Sequence, residues 1–272
     1  MAPKDFSHVE PKPAATVLLV RDSGDGIEVF MVVRHHKIDF ASGAMVFPGG
    51  KVDEADRDLG LRSRCRHGDA LSEVALATRI AAVRETFEEC GILLARPAGE
   101  EALIDSARLE ELKPWALRIH SGEASLAEFV ETENLELALD RLNHFAHWTT
   151  PPVMPKRFNT HFYLVGVPQG QLAIHDGHES VDSRWITPKD AIELTDAGQA
   201  TLVFATRLNL TKLGWSRTVV DATRTARAAK VVEVMPQMVS MEEGMRKLRI
   251  PEAAGYGGEV FDVKDQPAMK VG

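Results

Sequence analysis

Cysteine, tyrosine and long apolar runs are all scarce in this chain. Only two cysteines, Cys65 and Cys90, occur in 272 residues. No disulfide framework can be built from them, and no Cys-x-x-Cys pair exists to hold zinc, so a reducing compartment is expected. No stretch of roughly 18 apolar residues occurs, so no membrane-spanning helix is expected. The opening MAPKDFSHVEPKPAATVLLV lacks the apolar core of a signal peptide, because Lys12 and Pro13 interrupt it. A basic surplus is missing too. With 32 basic against 40 acidic side chains and a net charge of −8, a large nucleic-acid-binding surface is not expected. The expectation is a cytoplasmic chain that neither enters a membrane nor binds nucleic acid.

What is present is an ordinary globular composition, 44% hydrophobic and 26% charged, long enough for one elaborated domain or two small ones. Ala15 to Arg21 and Ile27 to Arg34 read as β-branched strands, with hairpin chemistry at Asp22 to Gly26 between them. The apolar Ala44 to Phe47 runs into Pro48-Gly49-Gly50, a tight loop in which glycine permits close backbone approach. Residues 57 to 68 read as irregular. Ser72 to Cys90 has helical spacing, with Gly91 as its left-handed cap. Residues 100 to 141 read as two or three helices, with Ser125 as one cap. Strand patterns return at Phe145 to Thr149, Thr160 to Val167 and Arg184 to Thr187, followed by a helix with Thr187 and Pro188 at its start. Residues 200 to 230 read as helical, with a short strand within Val231 to Met235. This order predicts a mixed α/β sandwich with inserted and appended helices.

The chemistry concentrates in Arg84-Glu85-Thr86-Phe87-Glu88-Glu89-Cys90-Gly91-Ile92. Glu85, Glu88 and Glu89 fall at i, i+3 and i+4, which places three carboxylates on one helix face. Such a cluster is self-repelling. It suits either a solvated acidic surface or a hard divalent cation, Mg²⁺ or Mn²⁺, that takes oxygen ligands.

Together, Phe47-Pro48-Gly49-Gly50, Asp56 and the Arg84-to-Ile92 segment resemble the box of the Nudix hydrolases, G-x5-E-x7-R-E-U-x-E-E-x-G-U with U aliphatic. Gly50 to Asp56 keeps the first spacing with Asp in place of Glu. Twenty-seven residues fill the following gap of seven, and Thr86 replaces an aliphatic residue. The resemblance implies a Nudix-type α/β/α sandwich with a mixed sheet, a helical insertion and a C-terminal helical extension. It implies a lead-in over 1–13, a Nudix domain over 14–199 with insertions at 57–83 and about 100–141, and an extension over 200–272 packed on the same domain. It further implies metal-assisted attack of water on a small-molecule diphosphate, with Mg²⁺ (or Mn²⁺) as cofactor. Glu85, Glu88 and Glu89 would bind the metal or activate water, Arg84 would orient them, and Gly49 and Gly50 would shape the loop. Glu179, in a later loop, is a further metal-ligand candidate.

The box insertion, the Phe-Pro-Gly-Gly loop and the Trp148-to-Phe162 segment are similar to the coenzyme A diphosphatase branch of that family. Gly43 keeps the G-x3-FPGG spacing of its signature, whereas Asp39 stands where the signature has arginine. Coenzyme A or an acyl-coenzyme A is therefore the leading expected substrate. The alternatives are ADP-ribose, a dinucleotide or a nucleoside triphosphate, or a non-catalytic ligand sensor. Arg157 is expected to pair with a substrate phosphate, because a guanidinium can do so bidentately. Phe158 and Trp148 are stacking candidates, with core packing as the alternative, and Arg34 is a second phosphate candidate. His144, His147 and His161 read as strand-face residues. A homodimer is one expectation for the assembly.

Overall fold

The computed structural model describes residues 5–34, 44–173, 180–242 and 244–264, without the side chains of Arg34, Ser180 and Val181. In chain order the elements are β1 (Lys12–Ser23), β2 (Gly26–Arg34), β3 (Met45–Val46), β4 (Gly49–Lys51), α1 (Glu73–Cys90) and β5 (Ala95–Pro97). They continue with α2 (Ser106–His120), α3 (Leu126–Thr132), β6 (Leu135–Leu137), β7 (Asn143–Thr149), β8 (Phe158–Gly166) and β9 (Ser180–Ile186). The last third holds α4 (Pro188–Asp196), α5 (Phe204–Leu213), α6 (Val219–Ala228), β10 (Glu233–Val234), β11 (Gln237–Glu242), β12 (Met245–Arg249) and β13 (Val260–Lys264).

An eight-stranded mixed sheet in the order β10-β7-β8-β1-β2-β3, with β4 also on β1 and β9 also on β2, is the centre of the molecule. β1 runs parallel to β8 and antiparallel to β2 and β4. Its sequence, KPAATVLLVRDS, is apolar on both sides because both faces are covered. Ala15, Val17 and Leu19 point into one core with α1, α2 and α3, while Leu18 and Val20 point into a second with α4, α5 and α6. The result is a three-layer α/β/α sandwich. Helix α1 starts at Ser72, whose hydroxyl accepts from the Ala75 amide, and stops at Gly91, where φ is 64°. Most of its side chains are buried, since the sheet lies under it and α3 over it, with Phe87 stacked on Phe129 at 5.4 Å.

The helix expected over Ser72 to Cys90 is α1, and residues 55–70 ahead of it wind into three short 3₁₀ turns. The helices expected in 100–141 are α2 and α3, followed by the short strand β6, which pairs with β5. The strand expected within Val231 to Met235 is β10, which joins the main sheet beside β7. One expectation is corrected: the C-terminal extension is not only helical, since β11, β12 and β13 form a sheet of their own.

The extension is pinned to the sheet by a buried chain of polar groups. Trp148 Nε1 donates to the Tyr256 hydroxyl at 2.8 Å, which donates to Asn209 Oδ1 at 2.7 Å. Leaving the indole donor and the amide acceptor buried without partners should cost about 1–3 kcal/mol. Tyr256→Phe is therefore expected to lower unfolding free energy by that amount in denaturant titrations, and a change within error would mean the link contributes nothing.

Candidate functional site

The turn before β4 brings the chain against the C-terminal half of α1. Gly49 has φ of 144°, and a Cβ there would overlap the Ala15 carbonyl oxygen of the neighbouring strand. Its amide donates to Glu89 Oε2 at 2.9 Å, so the loop is tied to the helix. At Gly50 a Cβ would overlap the Glu85 carboxylate, so glycine leaves the room that this carboxylate occupies.

Arg84 is the hub of the site. Its Nε and Nη2 donate to the two carboxylate oxygens of Asp56, both at 2.9 Å, in a bidentate pair with both side chains buried. Nη2 also donates to the Lys51 carbonyl at 3.0 Å, and Nη1 lies 3.0 Å from Glu85 Oε1 and 3.2 Å from Glu88 Oε1. Asp56 in turn accepts from the Asp53 amide at 2.8 Å, which closes the loop on itself. His120, at the end of α2, reaches Glu88 Oε2 at 3.2 Å through Nδ1.

The electrostatics follow from this packing. Burial would lower the Arg84 guanidinium, but the Asp56 hydrogen bonds and the charges of Glu85, Asp56 and Glu88 outweigh it and hold it raised. Burial pushes Glu85 up to about 7; Arg84 opposes the shift, and the charges of Glu88 and Asp56 add to it. Glu88 is raised as well, again first by burial. Carboxylates that burial and mutual repulsion drive toward their neutral form are the donor set that a hard cation stabilises. The chemistry of Glu85 and Glu88 therefore fits Mg²⁺ or Mn²⁺, and the Glu89 carboxylate adds oxygen donors on the same helix. Among the described residues no three such groups converge on one point, and Arg84 takes one oxygen from each of Glu85 and Glu88.

Arg84, Glu85, Glu88, Glu89, Gly49 and Gly50 thus come together as the spacing predicts. The expectation for Arg157 is corrected. It is buried, and its guanidinium is committed to the backbone carbonyls of Thr150 (3.1 Å) and Val9 (2.7 Å), where it ties the N-terminal lead-in to the sheet. Phe158 opens β8 opposite Lys12, and strand alternation sets it on the face of Phe162 and Leu164, away from Glu85. Trp148 takes the core alternative, edge-on to Phe204 and Tyr256. Glu179 lies outside the described residues, as does the side chain of Arg34, whose backbone ends β2. Asp56, the acid of the box spacing, completes the site as the partner of Arg84, and His120 joins it unforeseen. The Gly50-to-Asp56 spacing marks the first, whereas nothing local marks His120, which sits 32 residues from its partner.

On the same sheet face, three histidines pack together. His147 and His161 stack with centroids 4.1 Å apart, and His161 Nδ1 meets His144 Nε2 at 3.0 Å. Burial pushes His144 down to about 4, aided by Arg79 and His147, and burial pushes His161 down to about 3, aided by His147, His144 and Arg79.

The two glycines should separate cleanly. Gly49→Ala meets a backbone oxygen at positive φ and is expected to lower Tm markedly. Gly50→Ala meets only the end of a flexible side chain, so it should leave Tm nearly unchanged while weakening Mg²⁺ binding in calorimetry; equal Tm losses would contradict this. For His144 and His161 the folded values lie below the unfolded one, so the unfolded chain binds more protons between them. Their contribution is complete above pH 6.5 and is lost as pH falls toward 4 and below. Tm of His161→Phe should therefore fall less steeply than wild type over that interval, and parallel curves would refute the assignment.

The comparisons with known proteins agree with this geometry. The family described as the NUDT19 Nudix domain matches residues 59–204, more than half of the chain. The acyl-coenzyme A diphosphatase NUDT19 of Xenopus laevis is 26% identical over 205 residues, covering 61% of this chain and 54% of that protein. The human protein of the same name is 27% identical over 209 residues, covering 62% and 56%. This chain spans about half the length of these relatives. A solved Nudix hydrolase from Alicyclobacillus acidocaldarius superposes with a TM-score of 0.69 at 25% identity, covering 80% of this chain and 97% of that one. A box loop braced by Arg84 and Asp56 against a glutamate-bearing helix, on this fold and with this family match, makes the chain a member of the NUDT19-type Nudix family.

Proposed function

We propose that this chain is a Mg²⁺-dependent diphosphatase acting on coenzyme A or an acyl-coenzyme A, with 14–199 as its Nudix domain and 200–272 packed on it. The observation that carries the reading is the buried Arg84–Asp56 pair, whose guanidinium also holds Glu85, beside Gly50, and Glu88. The names of its relatives, acyl-coenzyme A diphosphatases, supply the substrate class. Gly43 and the Phe47-Pro48-Gly49-Gly50 loop match part of the coenzyme A signature. The family generally uses divalent metals; Glu85, Glu88 and Glu89 would hold the ion here. When bound, such an ion neutralises diphosphate charge and acidifies its water. Arg84 keeps the carboxylates oriented, and Gly50 keeps a side chain out of the space that the Glu85 carboxylate needs. Water attack on one phosphorus of the diphosphate would release 3′,5′-ADP and a phosphopantetheine product. Two free, buried cysteines suit a reducing compartment such as the cytoplasm.

Coenzyme A, ADP-ribose, diadenosine polyphosphates and NADH should be assayed side by side with Mg²⁺ or Mn²⁺. Coenzyme A is expected to be cleaved fastest, and EDTA should abolish turnover. Glu85→Gln and Glu88→Gln should each lower kcat by about 10²–10³-fold with Tm retained, as expected for loss of electrostatic stabilisation at a reacting centre. Turnover that survives EDTA would sink the metal assignment, and cleavage of none of the four would favour a ligand sensor.

A further inference from the structure

Glu85, Glu88 and Glu89 are each pinned by a neighbour. Glu85 Oε1 lies 3.0 Å from Arg84 Nη1, and Glu89 Oε2 accepts from the Gly49 amide. Glu88 is pinned at both oxygens: Oε1 accepts from Arg84 Nη1 at 3.2 Å, and Oε2 meets His120 Nδ1 at 3.2 Å. Arg84 and Gly49 belong to the box itself. Among these partners His120 alone comes from outside it, as the last residue of α2, in the segment between β5 and β6.

Packing, rather than this one contact, sets where His120 stands. Leu109, Leu112 and Ile119 bury one side of α2 in the same core as Val83 and Phe87 of α1. Trp115 meets Phe129 of α3 at 5.3 Å, and Phe129 stacks on Phe87, the residue before Glu88. Trp115 Nε1 also donates at 2.8 Å to Glu133, the residue that ends α3. The end of α2 is therefore mounted on buried surface, which gives its last residue a fixed place beside Glu88. The Glu88 side chain is 7% exposed and that of His120 43%, so the acceptor lies inside the protein and the donor at its edge.

Arg84 and Glu88 stand four apart on α1, the spacing at which an arginine and a carboxylate pair along a helix. Held by Arg84 alone, Glu88 is free to turn about its side-chain bonds and give both oxygens to the guanidinium. Held at Oε2 as well, it keeps one orientation. A carboxylate oxygen only accepts, so Nδ1 is the donor, and each oxygen retains a lone pair for a cation. The ordering of a flexible side chain is then complete before any ion arrives.

We propose that His120 is a positioning residue for divalent-cation binding, its Nδ1–H holding Glu88 Oε2, so that the segment between β5 and β6 takes part in the metal site. The proposal rests on the metal of the diphosphatase reading above, and its test reads binding without substrate.

The full chain is titrated calorimetrically with Mg²⁺ and, separately, with Mn²⁺. His120→Phe keeps a ring and removes the donor, whereas His120→Asn removes the ring and keeps a donor near the place of Nδ1. His120→Phe is expected to weaken binding of either ion by about 10–100-fold, and His120→Asn to stay within about threefold of wild type. Because His120 is exposed, both variants should keep Tm. In the metal-free chain the carboxyl carbon resonance of Glu88 should move in His120→Phe and stay in place in His120→Asn. Wild-type ion affinity in His120→Phe, an equal loss in His120→Asn, or an unmoved Glu88 resonance would each overturn the proposal. So would an unprotonated Nδ1 in the nitrogen spectrum of wild-type His120, which decides the matter even if a variant fails to fold. A wild type that binds neither ion overturns it together with the metal assignment. Ion binding that follows His120 in a chain that cleaves no diphosphate removes the diphosphatase reading and keeps the proposal. Coenzyme A cleavage with ion binding indifferent to His120 does the reverse.

Discussion

The buried Arg84–Asp56 pair is the constraint on which the rest of the site depends. A guanidinium this far from water is tolerable only with its charge and its donors met, and five groups meet them: Asp56, Asp53, Glu85, Glu88 and the Lys51 carbonyl. The arrangement is reciprocal. Glu85 and Glu88 repel each other and are driven toward neutrality by burial, and Arg84 is the protein's own counterweight. The ion pair also joins sequence-distant pieces, because Asp56 belongs to the loop after β4 and Arg84 to the middle of α1. The 27 residues between them can lengthen without disturbing the pair, since both ends are held by it and the added chain winds into 3₁₀ turns at the surface of the helical layer.

The sheet is the second determinant. Because β1 pairs with β2, β4 and β8, it sets the level at which the box loop, the three histidines and the end of β2 stand relative to one another. The C-terminal extension works on the same scaffold from both sides. Its helices cover the second core, and β10 adds an edge strand whose Glu233 reaches across to the α1 face. One appended segment thereby seals hydrophobic surface on one side and supplies a polar partner to Thr149 on the other.

Elements fixed by local physics are legible in the sequence. The Gly91 cap, the Asp22-to-Gly26 hairpin and the Thr187-Pro188 helix start are all short-range effects. The strands β11 to β13 escaped because neither face of that sheet is well buried. Met238, Val239, Met241 and Val260 are exposed, so no clean apolar alternation is written into the sequence. β5 and β6 escaped because three-residue strands leave too little pattern. Arg157 misled for a related reason. A guanidinium suits a phosphate and a pair of backbone carbonyls equally well, and only its burial against Val9 and Thr150 distinguishes them.

By itself the sequence determined the helix that carries Arg84, Glu85, Glu88 and Glu89 and the loop that meets it. Those depend on spacing within a few turns, where backbone geometry leaves one answer. The tertiary structure decided the rest: Asp56 as the partner of Arg84, His120 beside Glu88, and the removal of Arg157 and Phe158 from the site. These are facts of strand register and of layers packed across long separations, and register is set by the burial of both sheet faces together, which no local stretch of sequence contains.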